Sequence, residues 1–179
     1  SRYSGCWVAL KTIAETVDAS FSTLIDATGF KIEFPEAHPD VHARWPDKPL
    51  EQELRLHNQK LAAALEFARI NHLNHVTIDS PQPRIGIVST GKSYLDVLQA
   101  LSDLGIDDKL ASEIGIRLYK VGMPWPLEPN GIRDFAAGLD EVIVVEEKRG
   151  LIEDQLTSEL YNWHSDVRPT GEGKRNETG

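Results

Sequence analysis

Between positions 84 and 162, three short strand-like runs rich in apolar residues alternate with three stretches of helical spacing. The runs are Arg84-Ile85-Gly86-Ile87-Val88-Ser89, Ile116-Arg117-Leu118-Tyr119-Lys120-Val121 and Glu141-Val142-Ile143-Val144-Val145-Glu146. The third holds Val142, Ile143, Val144 and Val145 in a row, the composition of a strand buried on both faces of a parallel sheet. In the gaps, Tyr94, Val97, Leu98, Leu101 and Leu104 recur at helical spacing with Gly105 as the stop, and Ile132, Phe135, Ala136 and Leu139 follow Pro126 and Pro129. Leu151, Ile152, Leu156 and Leu160 make the last stripe. A β-α-β-α-β-α order with right-handed crossovers predicts an α/β fold: a parallel sheet with helices on its faces. Ligands and partners of such sheets collect at the carboxyl ends of the strands. Those ends are Thr90-Gly91-Lys92-Ser93, Gly122-Met123-Pro124-Trp125-Pro126 and Glu146-Glu147-Lys148-Arg149-Gly150.

Ahead of this unit the pattern is looser. A helix is predicted over 5–19, with Trp7, Leu10, Ala14 and Val17 on one face and Ser4 as N-cap. An apolar-faced helix without a partner element before it is expected of a piece of a longer chain. Phe30-Lys31-Ile32-Glu33-Phe34 alternates like a strand. Residues 35–49 form a proline-rich loop around Trp45, and a long helix is predicted over 50–71 with Leu54, Leu61, Leu65 and Ala68 as its stripe. A short strand at 75–78 and the linker Ser80-Pro81-Gln82-Pro83 lead into the three-strand unit, and the polar residues after Asn162 read as a mobile tail.

Composition narrows the functional classes. The net charge of −9 argues against nucleic-acid or anionic-membrane partners. Cys6 is the single cysteine, so an internal disulfide, a Cys-based zinc site and an iron–sulfur cluster are excluded within the chain, and a reducing, cytoplasmic setting is expected. No run approaches a membrane span.

Residues 86–93, Gly-Ile-Val-Ser-Thr-Gly-Lys-Ser, satisfy the G-x-x-x-x-G-K-S expression of a phosphate-binding loop. Such a loop needs a strand before its first glycine. Here Pro81 and Pro83 stand in that place, and Gly86 falls within the strand itself. The pattern therefore reads as a strand end at Ser89, a turn at Thr90-Gly91 and a helix opening at Ser93. One modest use remains: Gly91, Lys92 and Ser93 as a contact for a single anionic group. Trp125 between two prolines is a rigid apolar projection, and Glu146, Glu147, Lys148 and Arg149 are the densest charge cluster at a strand end. Both are candidate interface residues, with a solvated, internally paired turn as the plainer account of the charges. Of the six scattered histidines, His38 and His42 share a loop and could ligate a metal, but no further ligand stands at a fitting spacing, so a surface role is expected and no catalytic set is defined.

Several motifs in fixed order carry a family resemblance. They are Gly115-Ile116-Arg117-Leu118-Tyr119-Lys120-Val121-Gly122, Trp125-Pro126-Leu127-Glu128-Pro129 and Val144-Val145-Glu146-Glu147-Lys148-Arg149. Ser4-Gly5-Cys6-Trp7-Val8-Ala9-Leu10-Lys11, Arg44-Trp45-Pro46-Asp47 and Thr90-Gly91-Lys92-Ser93-Tyr94-Leu95-Asp96-Val97 agree with them. The chain up to about Asn162 resembles indolepyruvate:ferredoxin oxidoreductase, of the thiamine-diphosphate-dependent 2-oxoacid:ferredoxin oxidoreductases. The resemblance implies a three-layer α/β sandwich of the transketolase C-terminal-like type over 84–162. It implies that 1–20 ends a preceding pyrimidine-binding domain, 21–83 is a connector and 163–179 a polar tail. For the whole enzyme it implies thiamine diphosphate, Mg²⁺ and 4Fe–4S clusters, ferredoxin and coenzyme A as partners, and a homodimer. The family's Gly-Asp-Gly and Cys-x-x-Cys motifs do not occur here, so no catalytic residue is carried over. The expected role is a non-catalytic interface domain. The alternatives are a small-ligand or nucleotide-binding module at Thr90–Ser93, or the equivalent domain of a transketolase-like or 2-oxoacid dehydrogenase enzyme.

Overall fold

The computed structural model describes residues 1–20, 22, 31–36, 41–42 and 47–175. They fall into two compact units, Ser1–Asn71 and His72–Gly179.

In the first unit the only α-helix near the start is α1, Ala14–Val17. The helix predicted over 5–19 is thus corrected to one turn. Gly5 takes φ +66° and donates to Ser1 O at 2.7 Å, which sets a turn where the helix would start. Trp7 and Leu10 are 100% and 89% exposed, so the packing that gives a short helix most of its stability is missing. Ser4 is buried and accepts from Cys6 N at 3.2 Å in a local turn. The strand predicted at 30–34 is also corrected for its described part, 31–34, and Phe30 lies outside the described residues. Asn71 takes the place of a partner strand: Oδ1 accepts from Glu33 N at 2.8 Å and Nδ2 donates to Glu33 O at 2.9 Å. Trp45 and His38 lie outside the described residues. The long helix is present as α2, Pro49–Arg55, a π-helical turn, Leu56–Lys60, and α3, Leu61–Ile70, run end to end. Pro49 occupies the first helical position, where its missing N–H costs nothing.

The second unit is built on a five-stranded sheet: β1 (Asn74–Ile78), β2 (Ile85–Thr90), β3 (Ile116–Val121), β4 (Glu141–Val145) and β5 (Thr170–Glu172), in the order β1-β3-β2-β4-β5. The expected parallel sheet is corrected to a mixed one, because β1 pairs antiparallel with β3 while the other pairings are parallel. The residues after Asn162 are not all tail, since β5 extends the sheet along β4. The unit also includes β1, which lies within 21–83, the stretch that the resemblance implies to be a connector.

Helices cover both faces. On one side α4 (Gly91–Asp103) and α5 (Asp108–Ile114) bring Val97, Leu101 and Ala111 against Ile87, Ile116 and Leu118. On the other, α6 (Pro129–Ala136) and α7 (Leu151–Leu160) bring Ile132, Phe135, Ile152 and Leu156 against Val88, Tyr119, Val142 and Val144. β2 has a neighbour on each side, so Gly86 through Ser89 are buried in succession. Gly86 is needed there because a Cβ would meet Leu139 Cδ1 at 2.5 Å and Phe135 Cζ at 2.7 Å.

Gly105 ends α4 with φ +72°, and Ile106 N donates back to Leu101 O at 2.8 Å, as the sequence predicts. Helix α5 has no counterpart among the predicted elements. Its Asp107 N-cap accepts from Leu110 N at 2.8 Å, and Gly115 stops it at φ +90°.

Candidate functional site at the carboxyl edge of the sheet

The carboxyl ends of β2, β3, β4 and β5 lie on one edge, joined by the first residue of the antiparallel β1. Each polar side chain set there by the sequence has a local reason for its position. Ser89 Oγ donates to Val145 O at 2.8 Å, and Thr90 Oγ1 donates to Val121 O at 2.7 Å. The two hydroxyls thus tie the end of β2 to the strands on either side. Asn74, nearly buried, accepts from Gly122 N at 2.9 Å and Met123 N at 2.8 Å and fixes the exit of β3. A Cβ on Gly122 would run into the Leu73 carbonyl oxygen, so β1 and this exit approach backbone to backbone.

The loop 122–128 is fastened at its far end as well. Gln155 of α7 accepts from Leu127 N at 2.8 Å and donates to Pro124 O at 2.8 Å. Between these anchors Trp125, joined to Pro126 by a cis peptide bond, stands 60% exposed. Glu128 is buried at the start of α6 and accepts from Asn130 N at 3.0 Å and Gly131 N at 2.6 Å. Its negative charge lies where the helix presents unpaired N–H groups.

Glu146 has an internal task. It is 9% exposed, and its carboxylate accepts from Ile152 N at 3.1 and 3.0 Å and from Glu153 N at 3.0 Å. Gly150, the residue at the N-cap position of α7, has no side chain, and Glu146 reaches over from β4 to do the capping. The solvated turn expected of this cluster is therefore corrected for Glu146. Glu147, Lys148 and Arg149 do face solvent, with Lys148 in the left-handed region at φ +63°. Glu153, in the first turn of α7, in turn accepts from Lys174 N at 2.9 Å and Arg175 N at 3.0 Å, beyond β5.

The phosphate-loop pattern is used differently from its motif. Gly86 through Ser89 are paired along both edges of β2 and Thr90 along the β3 edge, and Gly91, at φ +55°, makes the turn into α4. Helix α4 opens at Gly91 rather than at the expected Ser93. Lys92 Nζ lies 2.7 and 2.8 Å from the two Asp96 oxygens, and Ser93 is buried. The structure thus places Gly91, Lys92 and Ser93 at the middle of the edge, after the central strand β2, with Trp125 and the 147–149 turn on the loops to either side. Asn74, Gln155 and Glu128 were absent from the sequence candidates. Their only signal is position: single polar residues beside a strand or helix end.

Tyr119, on the interior strand β3, carries an unmet group on the inside. It is 2% exposed, packs on Phe135 with ring centroids 5.0 Å apart, and its hydroxyl has no hydrogen-bond partner. Burial, with Glu128 and Asp134 nearby, pushes the phenol well above its usual range and keeps it neutral. Tyr119→Phe is expected to change stability by less than about 1 kcal/mol in urea denaturation, because no bond is lost. A loss above about 2 kcal/mol would reveal a bound water on that hydroxyl.

Among the described residues no group of three or more His, Cys, Asp or Glu could hold a metal ion. No helix there is long and apolar enough to cross a membrane.

A family model described as "Indolepyruvate ferredoxin oxidoreductase middle domain" matches residues 74–179. "Indolepyruvate oxidoreductase subunit IorA" of Pyrococcus horikoshii is 34% identical over 80 residues, 44% of this chain and 11% of the relative. The protein of the same name from Methanothermobacter thermautotrophicus is 26% identical over 112 residues, 60% of this chain and 17% of the relative. The chain thus spans a minor part of the length of the curated relatives it matches. Among solved structures, a 2-oxoglutarate:ferredoxin oxidoreductase from Magnetococcus marinus aligns with TM-score 0.43 and 17% identity, over 74% of this chain and 21% of that one. A split-gene transketolase, described as an inactive beta4 tetramer, aligns with TM-score 0.42 and 18% identity, over 59% of this chain and 33% of that one.

Proposed function

Because the chain belongs to the family of indolepyruvate ferredoxin oxidoreductase middle domains, we propose that it is a non-catalytic interface domain of a thiamine-diphosphate-dependent 2-oxoacid:ferredoxin oxidoreductase. The reaction of the whole enzyme would be oxidative decarboxylation of indolepyruvate to an acyl-CoA, with ferredoxin as electron acceptor, in the cytoplasm. The observation that carries this reading is the use of polar side chains at the carboxyl edge. Ser89, Thr90, Asn74, Glu128, Glu146 and Gln155 all spend their hydrogen bonds on neighbouring backbone. A rigid edge with its polar groups committed, and with Trp125 and the 147–149 charges outermost, suits docking of other domains better than turnover.

The implied iron–sulfur clusters do not fit this chain's residues. A 4Fe–4S cluster takes four thiolates, and Cys6 is the only cysteine. In this reading the clusters, Mg²⁺ and thiamine diphosphate are held by other parts of a homodimeric enzyme. The unit 72–179 would correspond to the transketolase C-terminal-like domain of that assembly.

The test uses the full-length enzyme and the isolated chain together. Trp125→Ala combined with Lys148→Ala and Arg149→Ala is expected to weaken dimer assembly or ferredoxin reduction in the full-length protein. The same changes should shift the stability of the 179-residue chain by no more than about 0.5 kcal/mol, as expected for surface positions. Unchanged assembly together with unchanged turnover would remove these residues from the interface.

A further inference from the structure

A cavity of about 280 Å³ lies between α7 and the edge strand β5, away from the loops that carry Trp125. Val142 and Val144 of β4 and Leu156 and Leu160 of α7 line it. All four belong to the buried core, so the cavity opens onto apolar surface. Gly171 keeps it open. It pairs in register with Val142, so any side chain at 171 would project on the face that Val142 uses. A Cβ there would meet nothing within 4 Å, and the residue is not among the glycines in the left-handed region. Neither backbone nor packing requires glycine at this position, while valine would suit a strand better. Unfilled apolar space forfeits contacts that a well-packed core would make, so both features are explained together by a ligand that fills the space.

The mouth indicates the head group. Of the charged residues around it, Arg175 is paired with Asp154 at 3.0 Å, and the Glu153 carboxylate is taken up by two backbone N–H groups. Glu172 also lines the mouth, but it is in register with Ile143, so its side chain leaves the strand on the opposite face of the sheet from Val142. Arg168 lines the same cavity, and its exposed guanidinium has no ion pair among the described residues. The four aliphatic side chains line the walls together with Thr157, Tyr161 and Pro169, and guanidinium favours carboxylate. We propose that this cavity binds an aliphatic monocarboxylate of medium chain length, with the alkyl chain against Val142, Val144, Leu156 and Leu160 and the carboxylate at Arg168.

The probe is octanoate below its micelle concentration, titrated into the 179-residue chain with methyl-labelled valine and leucine and followed by NMR and calorimetry. The expected result is saturable movement of the methyl signals of Val142, Val144, Leu156 and Leu160. Gly171→Val should fill the space and abolish that saturation without lowering the melting temperature. Arg168→Ala should weaken octanoate about tenfold, the loss of one charge-assisted contact, and leave the weaker binding of 1-octanol as it was. Absence of saturable shifts at those methyls would overturn the site without recourse to any variant. Undiminished binding in folded Gly171→Val would do the same, and equal affinity for octanoate and 1-octanol would overturn the assignment of the head group.

Discussion

Glu146→Ala is expected to destabilise the isolated chain by about 2–3 kcal/mol, the range for a buried carboxylate that caps a helix and takes charge-assisted bonds. Three bonds to the first turn of α7 disappear, and Gly150 has nothing to put in their place. Ile152 N and Glu153 N would then be left unpaired beside the core, where an unmet donor costs most. Glu146→Gln should fall between wild type and alanine, since one amide oxygen still accepts while the charge and the second acceptor are gone. Glu147→Ala next door is the control and should stay within about 0.5 kcal/mol. Urea denaturation of the three variants checks the order. Equal stability of all three would mean that α7 is held by its apolar face alone.

Phe135→Ala should cost about 3–5 kcal/mol, the range for removing a large buried aromatic. Phe135 is 2% exposed and fills the space between α6, Tyr119 and the missing side chain of Gly86. That geometry makes a sharper, second-order forecast. Gly86→Ala in the wild-type background forces a methyl against Phe135 and Leu139 and should cost about 1–3 kcal/mol through overpacking. In Phe135→Ala the same methyl finds room, so the two changes together should cost clearly less than their sum. Additive losses would show that Gly86 is held to glycine by Leu139 rather than by the ring.

The strands β2, β3 and β4 and the helices α4, α6 and α7 could be read from the chain, because each buries a face wide enough to impose a period on its residues. What escaped was set by partners rather than by period. The direction of β1 depends on its pairing with β3, and nothing within Asn74–Ile78 encodes it. Thr170–Glu172 contains no apolar residue and is a strand only because β4 offers it hydrogen bonds. Helix α5 carried its signals, Asp107 before and Gly115 after, on an element only seven residues long. The apolar face over 5–19 erred the other way, since spacing alone cannot show that nothing packs on Trp7 and Leu10. At the candidate site, strand period alone puts Glu146 and Lys148 on one side. It could not tell that a helix start waits there for a carboxylate. The clue was a glycine where α7 should have a Ser, Thr, Asp or Asn cap.

The π-helical turn between α2 and α3 bears on how this chain tolerates changes in length. Such a turn holds one residue more than an α-turn, and the extra residue is taken up within Leu56–Lys60. Deleting a single residue inside that segment would leave an ordinary α-helix, with Ala63 and Ala68, at 0% and 1% exposure, still on the buried face. The same deletion within α3 would swing every later side chain by about 100° around the axis and turn Ala68 toward water. Natural length variation in this helix should therefore concentrate in those five positions.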